Sequence, residues 1–281
     1  MVEGFITGMH KSPYHGFSVE FAEHRLYNDG ESTRHIDWKV YARTDRLYSK
    51  RYEEETNLRC LIAIDVSPSM FYPVETRSKL RFSIYAASAL SYLLHRQRDA
   101  VGLCFFSDSV KTLTQVKSTP THLDKIFTLL ENLSSQEPRA GRTHVAQVLH
   151  EIAEKIHKRS LVVIFSDMFD GNENTDELFK ALQHLKHNKH EVIVFHVIDY
   201  QTELLFDFED RPMEFVDLET NEKIKLNPAD VKQQYRVEAD KFHKSLKLRC
   251  NQYKIDFVEA DVQSDFNTVL QTYLIKRAKM R

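Results

Sequence analysis

The chain has 281 residues, of which 42% are hydrophobic and 28% charged, and its formal net charge is -2. These are ordinary values for a globular protein, and they exclude a general electrostatic attraction to nucleic acid or to an anionic membrane. We therefore predict no nucleic-acid partner.

The N-terminus lacks a basic stretch followed by a long apolar run, and the three cysteines form no CxxC pair. An odd cysteine count without a secretory signal is typical of a reducing compartment. The longest apolar runs, at 161–165 and 192–198, are too short to cross a bilayer. These features predict a cytoplasmic protein without a membrane span.

Residues 1–57 are dense in Arg, Tyr and His and have no clear hydrophobic period. We interpret them as a separate N-terminal segment that packs on the main domain. The main domain is predicted over residues 58–281.

Four unbroken apolar runs follow, each ending at a polar residue. They lie at 61–64, 101–106, 161–165 and 192–198. Unbroken runs are what strands buried on both faces require, so we predict four central parallel strands. Apolar residues at helical spacing occur between them at 80–94, 145–156 and 178–185. The alternation predicts an α/β fold with a doubly wound, mostly parallel sheet flanked by helices.

The pattern changes after the last of these runs. Residues 200–227 are rich in acids and contain the turn-like sequence 219–222, which predicts an inserted acidic hairpin. A long helix is predicted from Pro228 to about Tyr253, because proline is favourable in a first helical turn. A last strand at 255–260 and a closing helix at 266–278 complete the prediction.

Oxygen-bearing side chains are predicted to meet at the carboxyl edge of this sheet, where open α/β sheets bind ligands. Asp65, Ser67 and Ser69 directly follow the first central strand, Asp167 ends another, and Thr143 opens a helix. Two carboxylates and three hydroxyls suit a hard cation, so we predict a site for Mg²⁺, or for Mn²⁺ or Ca²⁺ in its place. Two aspartates only just neutralise a divalent ion, which leaves it able to accept an Asp or Glu from a partner protein.

A simpler interpretation of the same loop stays open. An Asp followed by Ser-Pro-Ser at a strand end is also typical of a turn, or of a cap for backbone N–H groups. Thr143 and Asp167, at the same predicted edge, favour the metal site.

The motif Asp65-x-Ser67-x-Ser69, with Gly-x-Thr143 and Asp167, resembles the metal-ion-dependent adhesion site of von Willebrand factor A domains. The preceding block resembles the signature of the domain-of-unknown-function-58 family, a bacterial group of A-domain-like proteins. Its matching residues are Glu20-Phe21, Arg25-x-Tyr27, Gly30, Arg34-x-Ile36-Asp37-Trp38, Ala42-Arg43 and the run 50–55. Together the matches cover about residues 16–170.

The resemblance implies a von Willebrand A-like, Rossmann-type fold and a divalent-metal site. It also implies association with a MoxR-type AAA ATPase in a chaperone-like or assembly system, and no settled activity. Two departures stand out. Glu31 occupies a position where the family often has Asp, and Met168 follows Asp167 where A domains commonly have Gly.

Within the N-terminal block, Arg34, Asp37, Trp38 and Arg43 are the candidates for contact with a partner. We favour a structural role instead, in which the arginines pair with acidic residues and Trp38 buries its ring against the sheet or a helix.

The competing function is a metal-dependent phosphohydrolase with Asp65 as the nucleophile. Such phosphatases usually place a second Asp two residues later as the proton donor, and Ser67 stands at that position. The sequence also lacks GxSxG, P-loop, GxGxxG and HExxH motifs. We therefore predict a binding protein that has no catalytic residues.

Overall fold

The computed structural model describes residues 18–27, 33, 36–55, 58–137, 144–168, 175–264 and 269. The chain divides into two compact units. One is His10–Leu58, and the other combines Met1–Met9 with Arg59–Arg281. Apart from residue 269, the predicted closing helix at 266–278 lies outside the described residues.

The smaller unit is built around a two-stranded antiparallel sheet. Strand β1 (Ser18–Leu26) pairs with strand β2 (Tyr48–Glu55), and the short helix α1 (Trp38–Thr44) lies between them in sequence. The backbone N–H of Asp37 donates to the carbonyl of Tyr48 at 2.9 Å, which ties the start of α1 to the second strand.

Among the described residues, the larger unit contains a six-stranded sheet, a separate hairpin and five α-helices. Its strands are β3 (Arg59–Asp65), β4 (Ala100–Phe106), β5 (Val110–Leu113), β6 (Leu161–Ser166), β7 (Glu191–Ile198), β8 (Met213–Val216), β9 (Lys223–Leu226) and β10 (Asp256–Asp261). Its helices are α2 (Ser78–Arg96), α3 (Pro120–Ser134), α4 (Val145–Lys155), α5 (Thr175–His187) and α6 (Pro228–Gln252).

The six-stranded sheet has the order β10-β7-β6-β3-β4-β5, and all its pairings are parallel except that of β5 with β4. The four apolar runs of the sequence form β3, β4, β6 and β7 at its centre. Every residue of β6 is buried, as is every residue of β3 after Arg59. The predicted α/β fold with a mostly parallel sheet is therefore confirmed.

Helices flank the sheet. Alternate residues of β3, β4, β6 and β7 form one hydrophobic core with α4, α5 and the end of α6. Helices α2 and α3 pack against each other and contact β3 and β4. Helix α3, which the sequence analysis did not predict, buries Leu123, Ile126, Leu130 and Leu133 at helical spacing.

The connection from β7 to α6 carries the second small sheet. A single π-helical turn, Tyr200–Leu204, follows β7, and the antiparallel hairpin β8–β9 comes next. No helix in the part of the chain that the structure describes is long and apolar enough to cross a membrane.

The topology brings two polar strand ends together. Strands β3 and β6 are parallel neighbours, with Ile64 paired to Phe165. Asp65 therefore lies beside Ser166 at the carboxyl edge of the sheet, and Asp167 follows immediately. The candidate site therefore lies at this edge of the sheet, where open α/β sheets bind their ligands.

Candidate metal centre

The loop after β3 curls tightly around a buried carboxylate. Asp65 is fully buried, and its Oδ1 accepts the backbone N–H of Ser67 at 2.9 Å. Pro68 then opens a 3-10 turn that runs to Phe71. The turn brings the hydroxyl oxygens of Ser67 and Ser69 to 3.0 Å from each other. Three predicted ligands thus lie in one compact loop.

The second oxygen of Asp65 is bound by a neighbouring strand. The Ser166 hydroxyl donates to Asp65 Oδ2 at 2.7 Å, and its oxygen accepts the backbone N–H of Met168 at 2.9 Å. Burial, followed by the negative charge of Asp167, raises the pKa of Asp65 to about 7. The two carboxylates are therefore close enough for their charges to repel, a repulsion that a bound cation relieves.

Asp167 lies at the same edge but is engaged in an ion pair. Its Oδ2 accepts from the ammonium of Lys79 at 2.9 Å, and its backbone oxygen is 3.0 Å from Nε2 of His196. Lys79 lies in the first turn of α2 and is fully buried. The same ammonium contacts Glu203 Oε1 at 2.5 Å.

The charges of this cluster oppose the effect of burial. Burial lowers the pKa of Lys79, but the carboxylates of Asp167 and Glu203 outweigh it and hold that pKa above its usual range. The two carboxylates therefore favour the charged form of Lys79. Burial and the charge of Asp167 together raise the pKa of Glu203, against the opposing effect of Lys79.

Lys79 and Ser166 were missed in the sequence analysis, although each left a signal. Lys79 falls on the buried stripe of α2, at helical spacing from the buried residues Ser83, Ala86 and Leu90. A lysine on such a stripe needs a buried acidic partner. Ser166 ends a buried strand directly before Asp167.

The donor set fits a hard divalent cation. Among the described residues, no group of three or more His, Cys, Asp or Glu could hold a metal ion. A cation at this edge would instead be held by the carboxylates of Asp65 and Asp167 with the hydroxyls of Ser67 and Ser69, an all-oxygen set of the kind that suits Mg²⁺, Mn²⁺ or Ca²⁺. Thr143, the fifth predicted ligand, lies outside the described residues.

The four candidates for partner contact belong to the smaller unit. Asp37 caps α1, because its Oδ1 accepts the backbone N–H groups of Lys39 and Val40 at 3.0 and 3.3 Å. Trp38 is 60% exposed and packs edge-on against Tyr41 with ring centroids 6.1 Å apart. The expectation that Trp38 buries its ring is therefore wrong.

A short helix explains the difference. Helix α1 begins at Trp38 and has only seven residues, none of which is buried, so it has no buried face on which the indole could lie. Arg43 is exposed in its last turn. Arg34 lies outside the described residues.

Comparison with known proteins identifies relatives. Uncharacterized proteins of Mycobacterium tuberculosis (strain H37Rv) and Mycobacterium bovis are each 24% identical over 198 residues, 70% of this chain and 61% of theirs. The chain thus spans less than two thirds of the length of these relatives.

Solved structures also align with the chain. BatB from Bacteroides thetaiotaomicron matches at 16% identity and a TM-score of 0.48, over 80% of this chain and 98% of its own. An aerotolerance-related membrane protein from Bacteroides fragilis matches at 15% identity and a TM-score of 0.48, over 80% of this chain and 100% of its own. Proximal thread matrix protein 1 from the mussel byssus, with a zinc-occupied MIDAS motif, matches at 16% identity and a TM-score of 0.38, over 50% of this chain and 38% of its own.

A family model covers most of the chain. The model described as "Protein of unknown function DUF58" matches residues 23–245, which include strand β2 of the smaller unit and the candidate edge from Asp65 to Glu203. The chain belongs to the DUF58 family.

Proposed function

We propose that this chain is a divalent-metal-dependent protein–protein interaction module. Asp65, Ser67 and Ser69 hold the metal, with Asp167 as the second carboxylate and Thr143 as a further ligand. The observation that carries the proposal is the loop after β3, where a fully buried carboxylate is followed by two hydroxyls 3.0 Å apart. A turn with no ligand would not need a buried carboxylate next to a second one.

The composition of the site supports a role in binding. A divalent cation held by neutral hydroxyls and two carboxylates supplies an electrophile that accepts another anionic oxygen. Asp65 and Ser67 are fully buried, whereas Ser69 is partly exposed. We propose that a partner approaches from the side of Ser69 and offers an Asp or Glu.

The family resemblance names a candidate partner, a MoxR-type AAA ATPase in a bacterial chaperone-like or assembly system. Membership of DUF58 supports this choice. We propose a cytoplasmic location, which the three buried free thiols of Cys60, Cys104 and Cys250 support. We also propose that the chain is not an enzyme, because Ser67 stands where a phosphohydrolase of the Asp65 type needs its proton donor.

A binding experiment tests the proposal. The purified chain is immobilised and exposed to a MoxR-type ATPase from the same organism, with Mg²⁺ or with a chelator. We expect the chelator and Asp65→Ala each to weaken retention about tenfold or more, since each removes the bridge to the partner's carboxylate. Asp108→Ala is the matched control, because Asp108 follows the neighbouring strand β4 at the same edge but is 50% exposed.

Two results would overturn the proposal. Retention of the ATPase that neither the chelator nor Asp65→Ala changes would exclude the metal bridge. Metal-dependent hydrolysis of phosphoesters that Asp65→Asn removes would show an enzyme instead.

A further inference from the structure

Lys79 is among the largest fully buried side chains in the part of the chain that the structure describes. Placing an ammonium in the interior removes its hydration, which is tolerated only where acidic partners surround it. Its position beside Asp167 puts this cation at the proposed metal site. A buried charge in such a place needs an explanation beyond packing.

The contacts of Lys79 join three elements. Its ammonium, from the first turn of α2, lies 2.9 Å from Asp167 Oδ2 after β6 and 2.5 Å from Glu203 Oε1 in the turn after β7. Glu203 is fixed in turn, because its Oε2 accepts the backbone N–H of Asp199 at 2.7 Å. The ring of Tyr72 lies 5.8 Å from the ammonium. The cation is thus held in place rather than free to swing away.

The charge balance of the edge depends on this residue. Asp65 and Asp167 lie at the carboxyl edge of the sheet, and Glu203 lies in the turn after β7. The ammonium cancels one negative charge and is shared between Asp167 and Glu203. A metal ion at Asp65 therefore meets a weaker negative field than two free aspartates would provide.

We propose that Lys79 sets the metal affinity of the site by competing with the cation for Asp167, while Glu203 moderates this competition by drawing part of the ammonium's charge away. This inference rests on the proposed function and deepens it. Lys79 is a positioning and charge-setting residue and is not itself a ligand.

A consequence concerns the partner. Because Lys79 removes part of the charge that a divalent ion needs, the chain alone holds the metal weakly. A carboxylate from the partner restores that charge, so metal and partner bind together more tightly than either binds alone. The internal cation thereby favours a bridged complex over a metal-filled but unpartnered protein.

Calorimetric titration with Mn²⁺ tests the proposal. A unit charge about 6 Å from a divalent ion changes its binding about tenfold even at the dielectric constant of water. We expect Lys79→Met to bind Mn²⁺ about tenfold more tightly than the wild type. We expect Glu203→Gln to bind it about threefold more weakly, because the full charge of Lys79 then falls on Asp167.

Lys111→Met is the matched control, since Lys111 in β5 pairs with Asp108 of the exposed loop between β4 and β5. Its Mn²⁺ affinity should equal that of the wild type. Circular dichroism establishes which variants are folded, and if Lys79→Met does not fold, Lys79→Gln, which also removes the charge but keeps a polar side chain, takes its place. A merely structural Lys79 would leave Mn²⁺ affinity unchanged in the folded variants.

The outcomes separate the two proposals. If the wild type binds Mn²⁺ and the folded variants bind it with the same affinity, the proposed role of Lys79 is overturned and the metal-dependent function stands. Binding by Lys79→Met but not by the wild type supports the role of Lys79. Absence of Mn²⁺ binding by the wild type and by both variants overturns both proposals.

Discussion

The loops after β3 and β4 are built from the same residue types but have opposite properties. The two strands are parallel neighbours, with Asp65 paired to Phe106 at their ends. Asp65 is fully buried, and burial followed by the charge of Asp167 raises its pKa to about 7. Asp108 is 50% exposed, and a hydrogen bond from Lys111 lowers its pKa to about 2.

The lysines that pair with these two regions differ in the same way. Lys79 is fully buried between Asp167 and Glu203, whereas Lys111 is exposed to solvent with Asp108. Solvent screens the exposed pair, so its aspartate is an ordinary surface carboxylate. Burial, rather than residue type, is what makes the β3 edge a candidate site.

The largest expected effect comes from removing the buried cation. Lys79→Met leaves the buried Asp167 and the partly buried Glu203 without their counter-ion, and we expect the free energy of unfolding to fall by about 3–5 kcal/mol. The same change in the exposed pair, Lys111→Met, should cost less than about 1 kcal/mol. Urea denaturation of both variants measures the difference, and equal losses would show that burial does not separate the two regions.

The second effect is a pH dependence. In the metal-free protein the raised pKa of Asp65 means that the folded state holds a proton which the unfolded state releases near pH 4. Stability from this group is therefore lost as the pH rises from about 4 to 7, by roughly 2–4 kcal/mol. Asp65→Asn should remove this loss. Denaturant unfolding of the wild type and the variant, measured in chelator at pH 4 and pH 7, gives the two changes in the free energy of unfolding.

Asp108→Asn provides the comparison for this measurement. The pKa of Asp108 is lowered, so its contribution is present above pH 4 and is lost only as the pH falls towards 2. The free energy of unfolding of Asp108→Asn should therefore depend on pH between 4 and 7 as that of the wild type does. If the free energy of unfolding of Asp65→Asn fell with pH as steeply as that of the wild type, Asp65 would not be the group with the raised pKa.

A smaller effect concerns the hydroxyls that contact the two aspartates. Ser166→Ala removes a donor to Asp65 Oδ2 and an acceptor for the Met168 N–H, both buried, and should cost about 1–3 kcal/mol. Ser107 donates to Asp108 Oδ1 at 2.9 Å on the exposed loop. Ser107→Ala should therefore cost less than about 0.5 kcal/mol. Thermal melts of the two variants test whether Ser166→Ala loses more stability than Ser107→Ala, as the buried hydrogen bonds predict.

The central sheet could be predicted from the sequence because burial on both faces leaves a local trace. The unbroken apolar runs became β3, β4, β6 and β7 with small shifts at their ends. The loop from Asp65 to Ser69 was predictable for a similar reason, since its residues adjoin a buried strand and lie close in sequence. Local patterns therefore carried most of the fold.

The charge balance of the site depends on contacts that are distant in sequence. Lys79 is separated from Asp167 by 88 positions and from Glu203 by 124. The sequence analysis placed Glu203 in an acidic hairpin and gave Lys79 no role, because only the folded sheet brings them together. The burial of Trp38 was predicted wrongly, because Trp38 begins a seven-residue helix that has no buried face.

The most direct test of the metal-dependent interaction is calorimetric titration of Mg²⁺ and Mn²⁺ into the wild type, Asp65→Ala and Asp108→Ala. We expect one site in the wild type, its loss in Asp65→Ala and its retention in Asp108→Ala, because only the buried aspartate adjoins Asp167 and the two serine hydroxyls. Binding that survives in Asp65→Ala would contradict the account.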